Sequence, residues 1–273
     1  MNYKIVNSIY NFIKTEHVEL FKSYNFKYHT QKYKLKEILE AILFFIKISS
    51  SWKNFIYKNI NYNTIYKNYI KLNKYKIFEL SYLNNLKKYL KKSKNKKLEY
   101  VYTDTTTIYN KLNKDKDKAK RNAYFKNKKI IKISLITDSN GITLNCLIES
   151  GNFHDSTIYK NQIQSLNEDE KKQFNNSIFM ADSGYDSSYI YELNKSIFKK
   201  SIIKSNNRNT KNKIKKRKLN ESEEQLYKKR IKVEHTNQKI KAYRRLNYIY
   251  EKEIKNYNQL IYLSLNDILT KKI

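Results

Sequence analysis

A chain of 273 residues, 40% hydrophobic and 14% aromatic, is long enough to bury a real core and suits one catalytic-sized domain with a smaller attachment. Lys and Arg number 57 against 25 Asp and Glu, a formal net charge of +32, so the expected partner is a polyanion, nucleic acid above all. One cysteine, Cys146, excludes an intrachain disulfide framework and a multi-thiolate zinc site, and the longest apolar run, AILFFI at 41–46, is far short of the roughly 20 residues that span a bilayer.

The absence of Pro and the presence of only 3 Gly, beside abundant Lys, Asn, Ile and Tyr, also fit an AT-rich coding sequence, which accounts for part of the basicity. Cys146 reads as a small buried hydrophobe. Neither a membrane span nor a secretory signal is expected, and the protein should be intracellular, with DNA.

From the N-terminus, Leu35, Ile38, Leu39, Ile42, Leu43 and Ile46 fall on one face of a helix. The break SSS at 49–51 precedes WKNFIYKN, and Asn63 or Thr64 is positioned to cap a further helix through Tyr66, Tyr69, Ile70 and Leu72. Short helices joined by turns suggest a helix-turn-helix, with Lys67, Asn68 and Lys71 on the exposed side of its third helix, facing phosphates or base edges. A helical packing or dimerisation module fits the periodicity equally well. The charge-dense run KKYLKKSKNKK at 87–97 closes this region, giving a helical domain and linker over 1–97 and a second domain over 98–273.

The composition then turns β-rich. LEYVYTDTTTI, IIKISLITDSNG and ITLNCLIESGN predict three antiparallel strands, with SNG and ESGN as turns. HDSTIYKNQIQSL reads as a helix, SIFMAD as a buried strand, SSYIYELNKS as a helix and FKKSIIKS as a strand. Residues 206–218 are a basic insertion without periodicity, and a long helical pattern starts near Leu219. The succession βββαβαβα is that of RNase H-like domains, a mixed sheet flanked by helices.

Two aspartates stand where strands end: Asp104 after EYVYT and Asp182 after IFMA, 78 residues apart. A lone Asp after a strand ordinarily serves a turn or a helix cap, a reading that two equivalent placements weaken. In the last helical pattern Tyr227, Arg230, Glu234 and Lys241 share one face, since about 100° per residue brings their spacing within roughly 60° around the axis. A solvated face with ordinary ion pairs is the alternative. Asp186, Asp138 and Glu149 compete as acids, Asp186 foremost, past the Gly184 turn.

YKKRIKVEHTNQKIK, ADSGYDS and YTDTTTI together resemble the insertion-sequence DDE transposases that carry the YREK signature, with Tyr227, Arg230, Glu234 and Lys241 at the signature spacing. GNFHDS at 151–156, KIIKISLITDSNG and the helical region ILEAILFFIKISSSWKNF extend the likeness to roughly residues 35–265, with 206–218 and YRRLNYIYEK as its weakest parts. The resemblance implies an RNase H-like catalytic domain whose Asp104, Asp182 and Glu234 hold two divalent cations, Mg²⁺ or Mn²⁺, a hard-ion choice that an all-oxygen ligand set also favours. It implies DNA strand cleavage at element ends by water attack, followed by attack of the exposed 3′-hydroxyl on target DNA, with no covalent enzyme intermediate. Arg230 and Lys241 would clamp phosphates, Tyr227 would bond the backbone or stack on a base, and the protein would work as a homo-oligomer on double-stranded DNA. His154 and Asp155 read first as strand-end packing and helix capping. A catalytically silent DNA-binding regulator, and a nuclease that cuts without joining, are the alternatives.

Overall fold

The computed structural model describes residues 3–25, 33–92, 98–111, 120–206 and 218–272, so residues 93–97 of the expected linker run at 87–97 and residues 207–217 of the insertion at 206–218 lie outside the described residues, while 87–92 are helical. The chain divides into two compact units, Met1–Lys92 with Lys239–Ile273, and Ser93–Gln238.

The first unit is helical: α1 (Tyr3–Glu16), α2 (Val18–Asn25), α3 (Leu35–Lys47), α4 (Tyr62–Lys74), α5 (Ile77–Lys92) and the C-terminal helix, numbered α11 below (Ile254–Thr270). Helix α3 buries Leu35, Ile38, Leu39, Ile42 and Ile46, the stripe its periodicity predicts, and Phe45 besides. Trp52 stacks on Phe45 with ring centroids 3.7 Å apart and meets Tyr69 at 5.1 Å, which holds the segment between α3 and α4 against both helices. The cap of α4 is Asn61, whose side chain accepts from the Asn63 amide at 2.8 Å, and not Asn63 or Thr64. The helix starts one residue after Asn61, whose backbone is extended as an N-cap requires. Of the residues expected to face outward on α4, only one does so freely. Lys67 is exposed, whereas Asn68 donates to Thr64 O at 2.8 Å and Lys71 Nζ donates to Ser23 Oγ at 2.8 Å over the Tyr24 ring.

The C-terminal helix is buried along almost its whole length, Gln259, Asn266 and Asp267 included, so it needs polar partners as well as apolar neighbours. It packs on α5, where Asn266 accepts from Asn85 Nδ2 at 2.8 Å and donates to Ser81 Oγ at 3.2 Å, satisfying amides that burial would otherwise strand. The sequence predicts one domain over 98–273. By contacts, residues 239–273 group with the N-terminal helices, because the apolar faces of α5 and α11 cover each other.

The second unit holds β1 (Tyr100–Asn110), β2 (Lys120–Asn122), β3 (Lys128–Asp138), β4 (Thr143–Ser150), α6 (Asp155–Gln164), α7 (Glu168–Lys172), β5 (Ile178–Ala181), α8 (Ser188–Lys195), β6 (Lys200–Ile203), α9 (Glu221–Lys228) and most of α10 (Ile231–Lys241). β3 pairs antiparallel with both β1 and β4, while β5 is parallel to β1 and to β6, giving the order β4, β3, β1, β5, β6. The short β2 adds to the β3 side that carries β4. Val101, Ile136, Tyr159, Phe179, Tyr185 and Phe198 belong to the core that α6 and α8 help to enclose. Cys146 is half-buried on β4, less enclosed than a buried hydrophobe would be.

Asp138 makes the β3–β4 turn, its Oδ1 accepting from the Asn140 and Ile142 amides at 2.9 and 2.8 Å. Gly141 follows at φ +73, and a Cβ there would lie 2.8 Å from Thr236 Oγ1 and 3.3 Å from Lys232 O of α10. Thr236 Oγ1 donates to Gly141 O at 2.8 Å, so this turn is the seat of α10. Gly141→Val adds both left-handed strain and a collision with that helix, and is expected to destabilise by about 2–4 kcal/mol. A denaturation midpoint within error of wild type would disprove this account of the seat.

Candidate active site

The β1–β5 register pairs residues 78 apart, Tyr100 with Ile178 and Tyr102 with Met180, the same separation as between Asp104 and Asp182. Continuing that register two residues, with side chains alternating faces, sets the two aspartates on one side of neighbouring strands. Asp182 directly follows β5, as expected. Asp104 does not end a strand: β1 runs on to Asn110, because TTTIYN continues to pair with β3 after β5 has stopped.

The two aspartates are held differently. Asp182 caps the turn 183–185, its Oδ1 accepting from Gly184 N at 2.8 Å, and Tyr185 in that turn shares a 2.8 Å hydrogen bond with Thr105 beside Asp104. That bond joins the two aspartate segments. Asp104 lies in β1 with Oδ2 accepting from Asn237 Nδ2 at 2.7 Å and Oδ1 3.7 Å from Arg230 Nη1. Burial raises its carboxyl to about 6, the Arg230 charge opposes that rise, and the negative charge of Asp182 adds to it.

The expected single long helix is two. α9 ends at Lys228 and α10 begins at Ile231, joined through i to i+3 hydrogen bonds from Arg230 N to Tyr227 O and from Val233 N to Arg230 O. Tyr227 ends α9, Arg230 occupies the turn, and Glu234 stands in the first turn of α10. The break points the guanidinium of Arg230 inward. Arg230 is 13% exposed at its side chain, bonds Glu234 Oε1 through Nη2, and lies over the Tyr227 ring at 5.7 Å. Burial opposes its charge, and the carboxylates of Asp104, Glu234 and Asp182 stabilise it. Glu234, 43% exposed, opens to solvent, and Lys241 is exposed at the end of α10 within the helical unit.

Among the described residues no three acidic, histidine or cysteine side chains are gathered closely enough to hold a metal ion as they stand. Arg230 is the cation that Asp104 and Glu234 share instead. The acidic groups that meet Arg230, those of Asp104 and Glu234, offer only carboxylate oxygens, the donor chemistry that suits a hard cation.

The competing acids have other work. Asp186 Oδ2 accepts from Asn206 N at 2.7 Å, Asp138 makes its turn, and Glu149 Oε2 accepts from Ser150 N at 3.4 Å. His154 caps α6 and Asp155 pairs with Lys132 Nζ at 2.7 Å. Asn237 carries no motif, and its one signal in the sequence is its spacing, three residues after Glu234 and so adjacent on that helix face. The helical unit has a cavity of about 500 Å³ that includes Lys47, Tyr243, Asp267 and Lys271. Those cations compensate buried Asp267, with Lys271 Nζ at 3.2 Å and Lys47 Nζ at 3.8 Å.

The family profile of the transposase DDE domain matches residues 96–266, well over half of the chain. The chain belongs to the transposase DDE domain family. No curated protein and no solved structure matches it. The matched stretch spans all of the β-sheet unit described above and continues into α11, and the strand order of this transposase domain is that of an RNase H-like fold preceded by a helical region. Divalent metals generally serve DDE transposase domains, and DNA is the substrate such a domain implies. Among the described residues no helix is long and apolar enough to cross a membrane.

Proposed function

We propose that this chain is a DNA transposase that cleaves DNA strands at the ends of a mobile element and joins them to target DNA, with Asp104, Asp182 and Glu234 as its metal-binding carboxylates. The observation that carries the reading is the shared register of Asp104 and Asp182, with Arg230 drawn between Asp104 and Glu234 where a cation is wanted. A pair of Mg²⁺ or Mn²⁺ ions, when bound, would supply charge neutralisation at the attacking and leaving oxygens of an in-line displacement at phosphorus.

The chain's own residues do the rest. Gly184 N fixes one oxygen of Asp182, and burial keeps the Asp104 carboxyl poised near 6, so that it is charged at neutral pH yet dear to desolvate. Arg230 neutralises Asp104 and Glu234, and with a divalent cation bound by those carboxylates it would be able to turn to a phosphate instead. Lys241 and Lys67, both exposed, are suited to phosphate contacts, and Tyr227 to a sugar or base; Asn68 and Lys71 would have to leave their internal partners to join them. Two ends must be brought together before joining, which calls for a homo-oligomer on DNA.

The test is an assay with a linear duplex carrying the element end and a supercoiled plasmid, scored for nicks and for joined products. Joined products with Mg²⁺ or Mn²⁺ are expected. Nicks alone would reassign the chain as a nuclease, and neither product as a silent DNA-binding protein. Asp182→Asn should be inactive and Asp186→Asn milder, because Asp182 follows the strand register that sets it beside Asp104, whereas Asp186 is engaged by the Asn206 amide; the reverse order would mean the wrong aspartate. Arg230→Ala should tighten Mn²⁺ binding to the DNA-free protein by about tenfold, as it removes the competing cation. Unchanged Mn²⁺ affinity by calorimetry would show that Arg230 is no such competitor.

A further inference from the structure

Asn237 reaches from α10 to β1 and meets Asp104, and it is only 6% exposed. Its amide divides the two oxygens of that carboxylate. Nδ2 donates to Oδ2 at 2.7 Å, while Oδ1 is left on the side of Arg230 Nη1, 3.7 Å away. A carboxylate held by one oxygen cannot turn about its terminal bond without breaking that hydrogen bond, so its second oxygen keeps a fixed direction.

Packing does not account for the amide. Val233 and Thr236 are fully buried on the same helix, and the bond from Thr236 to Gly141 O seats α10 on the β3–β4 turn independently. An apolar side chain of similar size would fill the position of Asn237 without burying a polar group. Instead the carbonyl oxygen of Asn237 is buried with no hydrogen-bond partner, an arrangement unfavourable unless the site demands it.

We propose that Asn237 is a positioning residue of the transposase site, holding Asp104 Oδ2 so that Oδ1 stays turned toward the cation now represented by the Arg230 guanidinium. The inference rests on the reading of Asp104 as a metal-binding carboxylate. It adds a neutral member to the carboxylate set, on the helix that also carries Glu234.

The experiment compares wild type, Asn237→Leu and Asp104→Asn as full-length proteins. Mn²⁺ binding to the DNA-free protein is measured by calorimetry, strand cleavage is resolved into kcat and KM for the DNA, and thermal unfolding is recorded alongside. Asn237→Leu is expected to weaken Mn²⁺ binding by about 10-fold and to lower kcat by about 10- to 100-fold, with KM for DNA and the unfolding temperature near wild type. Asn237→Ala carries the same expectations if the leucine variant unfolds early. Wild-type Mn²⁺ affinity and kcat in the Asn237 variants, with both lost in Asp104→Asn, would overturn the positioning role and leave the carboxylate reading standing. Asp104→Asn that binds Mn²⁺ and cleaves like wild type would overturn the carboxylate reading itself, and the role of Asn237 with it.

Discussion

Asp104→Asn is expected to abolish strand cleavage and joining, by at least about 10³-fold, while making the metal-free protein more stable at pH 7.5. The folded-state carboxyl is raised from 3.8 to about 6, chiefly by burial. A group whose pKa is raised on folding holds its proton more tightly in the folded state. Its contribution to stability is therefore fully present below pH 3.8 and disappears as pH rises through 6. Above that range the ionised carboxylate costs about 3 kcal/mol relative to its protonated form. Asparagine removes this charge yet keeps a carbonyl able to accept from Asn237 Nδ2, and Arg230 keeps its partner Glu234. The net gain should be about 1–3 kcal/mol at pH 7.5, shrinking toward zero near pH 4. DNA affinity should be nearly unchanged, since phosphate contacts dominate it. Thermal unfolding of both proteins across pH 4–8 checks the first part: a variant no more stable than wild type at pH 7.5 would mean that Asp104 is not strained by burial. Retained cleavage would remove it from the site.

The second large effect lies in the helical unit. Arg245 and Glu251 pair at 2.7 Å with side chains 2% and 3% exposed, and the guanidinium lies over Phe45 at 5.0 Å and Tyr250 at 4.5 Å. Burial raises the Glu251 carboxyl and the charge of Arg245 holds it down again. Glu251→Ala leaves a cation in the interior whose Nε and Nη1 already lack hydrogen-bond partners. A loss of about 3–5 kcal/mol is expected, seen as a lower denaturation midpoint at unchanged slope. Replacing both residues together, as Arg245→Met with Glu251→Leu, should recover much of that loss, because a buried pair is expensive to desolvate and its removal exposes no lone charge. A single-variant loss below about 1 kcal/mol would mean that water reaches the guanidinium.

Local rules were sufficient for much of this chain. The stripe on α3, the three antiparallel strands with their turns, and the αβ succession to β6 were legible because period 3.6 and period 2 record which face is buried, whatever lies opposite. The separation of 78 residues between Asp104 and Asp182 was also visible, but not its meaning; only strand pairing converts a sequence interval into a side-by-side placement. Four features required the tertiary structure. β1 outlasts β5 because its other edge has a longer partner, so Asp104 sits inside a strand. The break between α9 and α10 carries no Gly or Pro to announce it, and Arg230 there is turned from solvent toward Glu234 four residues on and toward Asp104, which comes from a strand far earlier in the chain. Asn237 carries no charge and no motif, and matters only because a strand more than a hundred residues earlier presents Asp104 to it at 2.7 Å. The helix α11 carries Asn258, Gln259, Asn266 and Asp267 among its apolar residues, so its burial on nearly every side was not legible in the sequence; hydrophobic burial is non-directional, and the matched amides of Asn85 and Asn266 tie it to α5.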